Sequence, residues 1–547
     1  MTVKRTDRRE QVMRRKLRSR LAAVAGLSLL LGGCASGGTQ ESTGASSGES
    51  SGEQPVRGGV LSIGIGQDMG DLDPGVNTGV AFQTMKIQGL YNGLYRWDSE
   101  LKMKPDIAES WKQLDDTTYV FTIRKGVTFH TGRPMTASDV EFSLEWMLNE
   151  GKVYARELAK VKGAGDAGPS VDIPGITATD DTTLTIKLSE PWSPFLKSLY
   201  PIPIIDKESI DKIGTHPVGT GPFKFQRRVE NDRIVLERYD GYWGGQPYLD
   251  GVEFRVVPDI SAAYANMQAG DLDAILSIEP RDAKNLIGDN PDVKVLDVPS
   301  TDLVMLHLVI DRNPALKDVH ARRAMAHCLD KDAINSLVYS GHGKQQWSPI
   351  PSPTEEYDPS VESRGYEFSV EKARAELARS SAPGGFDLTY TALSGLKSSE
   401  DTGTIWKQCL DQIGIRLKIE TLEFAEWLKK YKAFDYDVLF NFGALPPDPY
   451  RGFEIFYTPA IRGTAEAPKT AWKNDEMWKL MQTVATGPEK ERSAAYRELQ
   501  LQTVEQVAPI LYVQQNPTMT AVSTDVVGYD SYNALRLLDW PNIWKRK

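Results

Sequence analysis

Apolar positions along this chain recur with two periods. From Thr118 to Arg124 the order Thr-Tyr-Val-Phe-Thr-Ile-Arg alternates, which puts Tyr119, Phe121 and Ile123 on one face of a strand and Val120 and Thr122 on the other, with a turn at Gly126. Asp115-Asp116-Thr117-Thr118 and Asp180-Asp181-Thr182-Thr183 share one turn chemistry, and each leads into an alternating strand, the second through Leu184, Ile186 and Leu188. Antiparallel pairs in one small lobe are therefore expected. A short apolar strand at Val60 to Ile65 opens the body. Thr136-Ala137-Ser138-Asp139 has the spacing of a capping box, followed by a helical face of Val140, Leu144, Met147 and Leu148. Ser261 is placed to cap a helix through Met267 that stops at Ala269-Gly270, before a strand from Leu272 to Leu276. Beyond it the pattern predicts a helix around Val319 to Val338, a strand at Phe386 to Tyr390 and a helix at Ile405 to Ile413. Two more strands are predicted at Ile415 to Leu422 and Asp437 to Phe442. The fold class is mixed α/β.

The amino-terminal residues follow neither period. Residues 1 to 20 hold nine Lys or Arg against Asp7 and Glu10, and Leu21 to Leu31 form an apolar run too short to span a bilayer. That is the layout of a cleaved signal peptide, residues 1–33. Leu31-Gly32-Gly33-Cys34 resembles the bacterial lipobox, in which the cysteine thiol is acylated and becomes the mature amino terminus. Cys34 is therefore the expected lipidation site, and an ordinary secretory signal with an incidental cysteine is the plainer alternative. Residues 34–57, rich in Ser, Gly and Glu, have little to bury and read as a flexible tether. Two G-x-S-x-G matches fall inside it, without the strand and helix that a nucleophile elbow needs.

Composition narrows the function. With 64 Lys and Arg against 74 Asp and Glu the chain carries −10, and loss of the signal segment takes the body to about −17. An acidic body argues against nucleic acid. About 490 residues remain for the fold, enough for two or more lobes. Cys328 and Cys409 are the only other cysteines, and so few read as buried thiols ahead of a bridge. No later apolar run is long enough to cross a membrane.

Four blocks carry a resemblance. The first runs from Gly89-Leu90-Tyr91-Asn92-Gly93-Leu94 through Pro105-Asp106-Ile107-Ala108-Glu109-Ser110-Trp111 and Tyr119 to His130, and ends in Pro134-Met135-Thr136-Ala137-Ser138-Asp139-Val140. The second is Pro217-Val218-Gly219-Thr220-Gly221-Pro222-Phe223-Lys224-Phe225 with Tyr242-Trp243-Gly244-Gly245, and the third is Gly270-Asp271-Leu272-Asp273. The fourth is Asp318-Val319-His320-Ala321-Arg322-Arg323-Ala324-Met325, with His320 where an Arg is usual. Together they resemble the family 5 extracytoplasmic solute-binding proteins of ABC transporters, over residues 58 to 540.

What the resemblance implies is a type II periplasmic-binding-protein fold in three lobes. Residues 58–93, 217–305 and 514–547 would form lobe I, 94–216 lobe II and 306–513 lobe III, with solute held in a cleft between I and III by hinge closure. The partners implied are a small or peptide-like solute and an ABC permease with its ATPase, met by a monomer anchored on the outer face of the cell membrane. No cofactor is implied. Aligned on the family motif, the expected cleft residues are Phe424, Phe442, Leu445, Asp448 and Tyr512, with the Asn77, Thr78 and Gly79 loop opposite.

One departure bears on the cargo. Peptide-binding relatives tend to carry Trp-x-Ala-Asp before an Asp-Pro or Glu-Pro, and the acid pairs with the ligand's free ammonium. In Phe442-Gly443-Ala444-Leu445-Pro446-Pro447-Asp448-Pro449 that position is Leu445, or Pro446 if the strand at Asp437 sets the register. A buried ammonium left unpaired costs roughly 3 to 5 kcal/mol, more than a hundredfold in affinity. The expected cargo is a peptide-like, opine-like or sugar-like solute with no obligatory free α-amine. The alternative is that Asp437 or Asp448 replaces the acid from a shifted position, which would restore a free-amine peptide as cargo.

Other chemistries find less support. His130 reads as a turn or packing residue, and Trp111 and Trp243 as framework. The six histidines include no i, i+4 pair, which argues against a metal site. No nucleophile, base and orienting acid can be grouped from motifs, so a hydrolase is disfavoured. A sensor or adhesin on the same fold is the alternative to transport.

Overall fold

The structure is a computed structural model that describes residues 53–546 apart from 289, 353, 445–447, 458–473 and 508. The leader, Cys34, nearly all of the tether and Leu445 lie outside the described residues.

Through the body, Pro55–Lys547, runs an eleven-stranded sheet. At its middle lie two long antiparallel strands, Val293–Leu308 and Ile510–Ser523. Val60–Ile65, Gly251–Val256, Arg233–Arg238 and Phe223–Val229 extend the sheet on one side through Ala274–Ile275, and Val438–Ala444, Asp387–Leu393 and Arg416–Leu422 extend it on the other. The central pair therefore belongs to both ends. Where it passes between them, Pro299 stands opposite Pro517, and the register breaks between Pro299 and Leu303 and again between Val304 and Met305. Proline has no N–H to give the ladder, so neither strand can donate there. Side chains fill in: Ser300 Oγ donates to the Asn516 carbonyl at 2.6 Å, the Asp302 N–H donates to Ser300 Oγ at 2.9 Å, and Arg536 pairs with Asp302.

A separate four-stranded antiparallel sheet has the order Ala108–Asp115, Thr118–Ile123, Thr183–Lys187, Ile176–Asp180. Its two turns are closed as their sequences anticipate, with Asp115 accepting the Thr117 N–H and Asp180 the Thr182 N–H, both at 2.8 Å. The helix Ala137–Asn149 packs on it through Val140, Leu144 and Met147, all buried. Asp139 accepts the Thr136 N–H at 2.9 Å, which completes the expected capping box.

Three elements differ from expectation. The helix Ile260–Ala269 ends at Gly270 (φ 80°) as anticipated, but its cap is Asp259, which accepts the Ala262 N–H at 2.7 Å. Pro258 ends the preceding extended stretch, so Asp259 is the first residue free to turn and Ser261 falls inside the helix. The span from Val319 to Val338 is two helices, Val319–His327 and Lys331–Val338, the second capped by Asp330 through the Ala333 N–H at 2.8 Å. The helix expected at Ile405 to Ile413 begins earlier, at Lys397.

Cys328 and Cys409 form a disulfide (Cα–Cα 5.3 Å), where the cysteine count had favoured free thiols. Residue counts carry no information on proximity, and here both cysteines enter one core over one sheet face, where Trp406 Nε1 also donates to the Met325 carbonyl at 3.0 Å.

Candidate functional site

Strand register sorts the expected cleft residues onto two faces. Phe442 stands opposite Val304, and two residues back Phe440 stands opposite Leu306, so these side chains share a face. Along that face Phe440 is 1% exposed and Phe442 46%, their rings 6.4 Å apart. The buried row runs out at Phe442. Tyr512 stands opposite Met305 and thus points to the other face, where it is buried with Leu303, Ile350, Tyr450 and Phe453. The structure does not bring Phe442 and Tyr512 to one wall.

Phe424 opens the helix Phe424–Ala433 and is 59% exposed. Its ring stacks on Trp427 (6.1 Å), which stacks on Tyr431 (5.4 Å), and Trp427 Nε1 donates to the Phe440 carbonyl at 3.2 Å. An aromatic ladder thus ties Phe424 to the strand that presents Phe442. The Asn77 loop is tied down separately. Asn77 Nδ2 donates to the Met69 and Asp71 carbonyls at 2.6 Å, and Asn77 Oδ1 accepts the Gly79 N–H at 2.8 Å at the start of the helix Val80–Lys86. Thr78 and Gly79 stay exposed. Among the described residues no hydrogen bond or ring contact joins this loop to Phe424 or Phe442.

Asp448 is a buried helix cap, accepting the Tyr450 N–H at 2.9 Å. Burial pushes its carboxyl up to about 6, against the pull of the Lys197 charge. Lys197 itself is bound to Glu356 at 2.7 Å, Arg451 to Glu157 at 2.7 Å, and Trp192 meets Tyr450 edge-on at 4.7 Å. These contacts fasten segments near the four-stranded sheet to Glu356 and to the helix Tyr450–Tyr457 after Asp448. No motif announced them, because the partners lie 159 and 294 residues apart in the chain.

The motif blocks meet elsewhere. Gly219-Thr220-Gly221 lies against Gly89-Leu90 so closely that a Cβ on Gly221 would stand 2.4 Å from the Gly89 carbonyl oxygen. Gly221 N–H donates to the Leu90 carbonyl and Phe223 N–H to that of Gly89, both at 3.1 Å. His130 closes the same joint, with Nδ1 accepting the Gly219 N–H at 3.2 Å and Nε2 facing the Gly221 carbonyl at 3.1 Å. Burial pulls the ring down to about 4, so it is neutral and its proton sits on Nε2. Asn92 accepts from Thr220 (3.1 Å) and from Trp243 (3.3 Å) and donates to Asp106 at 3.0 Å. Trp111 and Trp243 pack against the core while remaining half-exposed.

Residues 102–464 match the family model described as "Bacterial extracellular solute-binding proteins, family 5 Middle". The chain belongs to this family. It is similar to the dipeptide-binding protein of Escherichia coli K12, 28% identical over 472 residues, which cover 80% of this chain and 86% of the relative. It is also similar to heme-binding protein A of Haemophilus influenzae, 26% identical over 473 residues, 81% of this chain and 84% of the relative. Among solved structures, the ABC transporter substrate-binding protein CtaP of Listeria monocytogenes superposes with a TM-score of 0.78 at 23% identity, over 90% of this chain and all of the other. This family 5 protein has the type II periplasmic-binding fold, and its family binds solutes and does no covalent chemistry. Among the described residues no three His, Cys, Asp or Glu side chains stand together as a metal site, and no helix is long and apolar enough to cross a membrane.

Proposed function

We propose that this protein is a lipid-anchored, monomeric extracytoplasmic receptor that closes on a small or medium-sized solute and hands it to an ABC permease and its ATPase. The observation that carries this reading is the pair of exposed aromatic side chains, Phe424 and Phe442, linked by the Trp427 ladder on one side of a sheet whose central strands are interrupted at Pro299 and Pro517. An aromatic wall beside a compliant crossover suits capture of a planar, apolar or sugar-like group. Phe424, Phe442, Leu445 and Asp448 with the Asn77–Gly79 loop are the proposed lining. Tyr512 would act from behind the sheet, and Asp448 through its cap on the following helix. The named relatives bind a dipeptide in one case and heme in the other, so kinship at this level leaves the cargo open. Leu445 argues for a peptide-like, opine-like or sugar-like solute with no free α-amine to neutralise.

A thermal-shift screen of the purified protein tests the cargo, because a ligand that binds only the folded state raises the melting point. N-acylated peptides, opines and oligosaccharides should raise it and free-amine dipeptides should not. In Leu445→Asp the order should invert, with free-amine dipeptides gaining about a hundredfold in affinity. Selective stabilisation of the unmodified protein by free-amine dipeptides would overturn this assignment. The anchor is tested apart from the cargo: Cys34→Ser should move the protein from the membrane to the soluble fraction, and an unchanged distribution would sink the lipid anchor.

A further inference from the structure

The joint where the motif blocks meet is hollow. Two adjoining cavities of about 280 and 390 Å³ lie between the Gln88–Pro105 stretch and the residues around Trp243 and Asp539, and they share Gln88, Arg96, Pro105 and Asp539 as walls.

Donors go unanswered at these walls. Arg96 is half-buried and makes no hydrogen bond or salt bridge with any described residue, although its charge acts on the buried Asp106 carboxylate. Gln88 is 9% exposed, and its Nε2 has no partner. Its backbone lies in the left-handed region (φ 64°), with the Gln88 N–H donating to the Tyr91 carbonyl at 2.9 Å. Trp97 is also buried, its indole N–H is unpartnered, and it lines the second cavity. The carboxylates near these walls already accept hydrogen bonds, and Asp98 also pairs with Lys104 at 3.4 Å. Asp98 accepts the N–H groups of Glu100 and Lys102 at 3.0 and 2.9 Å, Asp106 accepts from Asn92 and Gly93 at 3.0 and 3.1 Å, and Asp539 accepts from Asn542 at 2.8 Å. Water could satisfy an amide or an indole. A small oxyanion can accept from a guanidinium and an amide together.

We propose that these cavities form an anion site, in which Arg96 and the Gln88 amide hold the oxygens of a small free acid bearing a carboxylate or a phosphate. The Arg124 guanidinium, stacked on Trp243 at 4.4 Å and paired with Glu109 at 3.5 Å, forms part of the wall. The site shares no residue with the proposed solute lining. Its guest would bridge the Gln88–Arg96 segment to the residues around Asp539, strengthening the joint while leaving the choice of cargo to Phe424 and Phe442.

The test is calorimetric titration and thermal melting of the purified protein with inorganic phosphate and, separately, succinate, with ionic strength held constant by chloride. Saturable binding of at least one anion with a matching rise in melting temperature is expected, and the anion that binds identifies the head group. Arg96→Gln should weaken that binding tenfold or more. Gln88→Glu, which turns the donor into a carboxylate, should do the same, and it carries the test if the Arg96 variant does not fold. No saturable response of the unmodified protein to either anion at about 50 mM overturns the proposal, as does a folded variant that binds as tightly as the parent.

Discussion

Two of the joints in this body are built from opposite materials. At Gly219–Gly221 the missing Cβ lets one backbone lie directly on another, so the contact is made of main-chain hydrogen bonds to Gly89 and Leu90, with His130 closing them from the side. At Pro299 and Pro517 the missing N–H removes the ladder, and the strands are held by Ser300, Gln515 and the Asp302–Arg536 pair. A backbone joint has no rotamers to exchange. A side-chain joint has several, and small φ/ψ changes across it leave the paired strands on either side intact. The contrast assigns stiffness to the first and bending to the second, which is the division of labour a closing receptor needs.

Substitutions of similar size at the two joints should therefore cost very different amounts. The largest effect is expected for Gly221→Ala, whose new methyl would meet the Gly89 oxygen at 2.4 Å and the Leu90 carbonyl carbon at 2.7 Å, neither of which can move alone. Urea unfolding should show a loss of about 3 to 4 kcal/mol. Acid comes next. His130 has its folded value pulled down to about 4 from an ordinary 6.5, so its contribution is complete above 6.5 and is lost as pH falls from there through about 4. The loss approaches about 3 kcal/mol, and faster amide exchange at Gly219 should report it. His130→Gln, which cannot titrate, should flatten that part of the profile. The smallest effect is expected for Ser300→Ala at the crossover, about 1 kcal/mol in the same unfolding assay. In exchange it should ease bending, visible in scattering as a broader spread of closure without solute. A cost at Ser300 equal to that at Gly221 would erase the distinction between the joints.

Local turns and caps were legible in the sequence, and the contacts that make up the two joints were not. Glycines, capping residues and Asx turns act over a few positions, so the Thr136–Asp139 box and the turns at Asp115 and Asp180 are where their spacing places them. The Asp259 cap was missed because Ser261 is an equally good cap on propensity alone, and Pro258 decided between them. The break near Cys328 went unseen because both helices keep their apolar face toward one core. Phe424 and Phe442 are proposed for the cleft from family alignment, and the structure adds that both are exposed. The same alignment could not say that Tyr512 faces away from them, since strand parity is set by the register break between Val304 and Met305. Lys197–Glu356 and Arg451–Glu157 had no local signal at all.

The Cys328–Cys409 bridge ties residues 81 apart in the chain, across the core of the helices over one sheet face. A cross-link that long removes much of the freedom of the unfolded chain, and it forms only where thiols are not kept reduced. Where thiols are kept reduced the clip is open, and this region is easier to unfold. In the oxidising surroundings of an extracytoplasmic family the bridge closes, so the chemistry of the compartment sets how firmly this core is held.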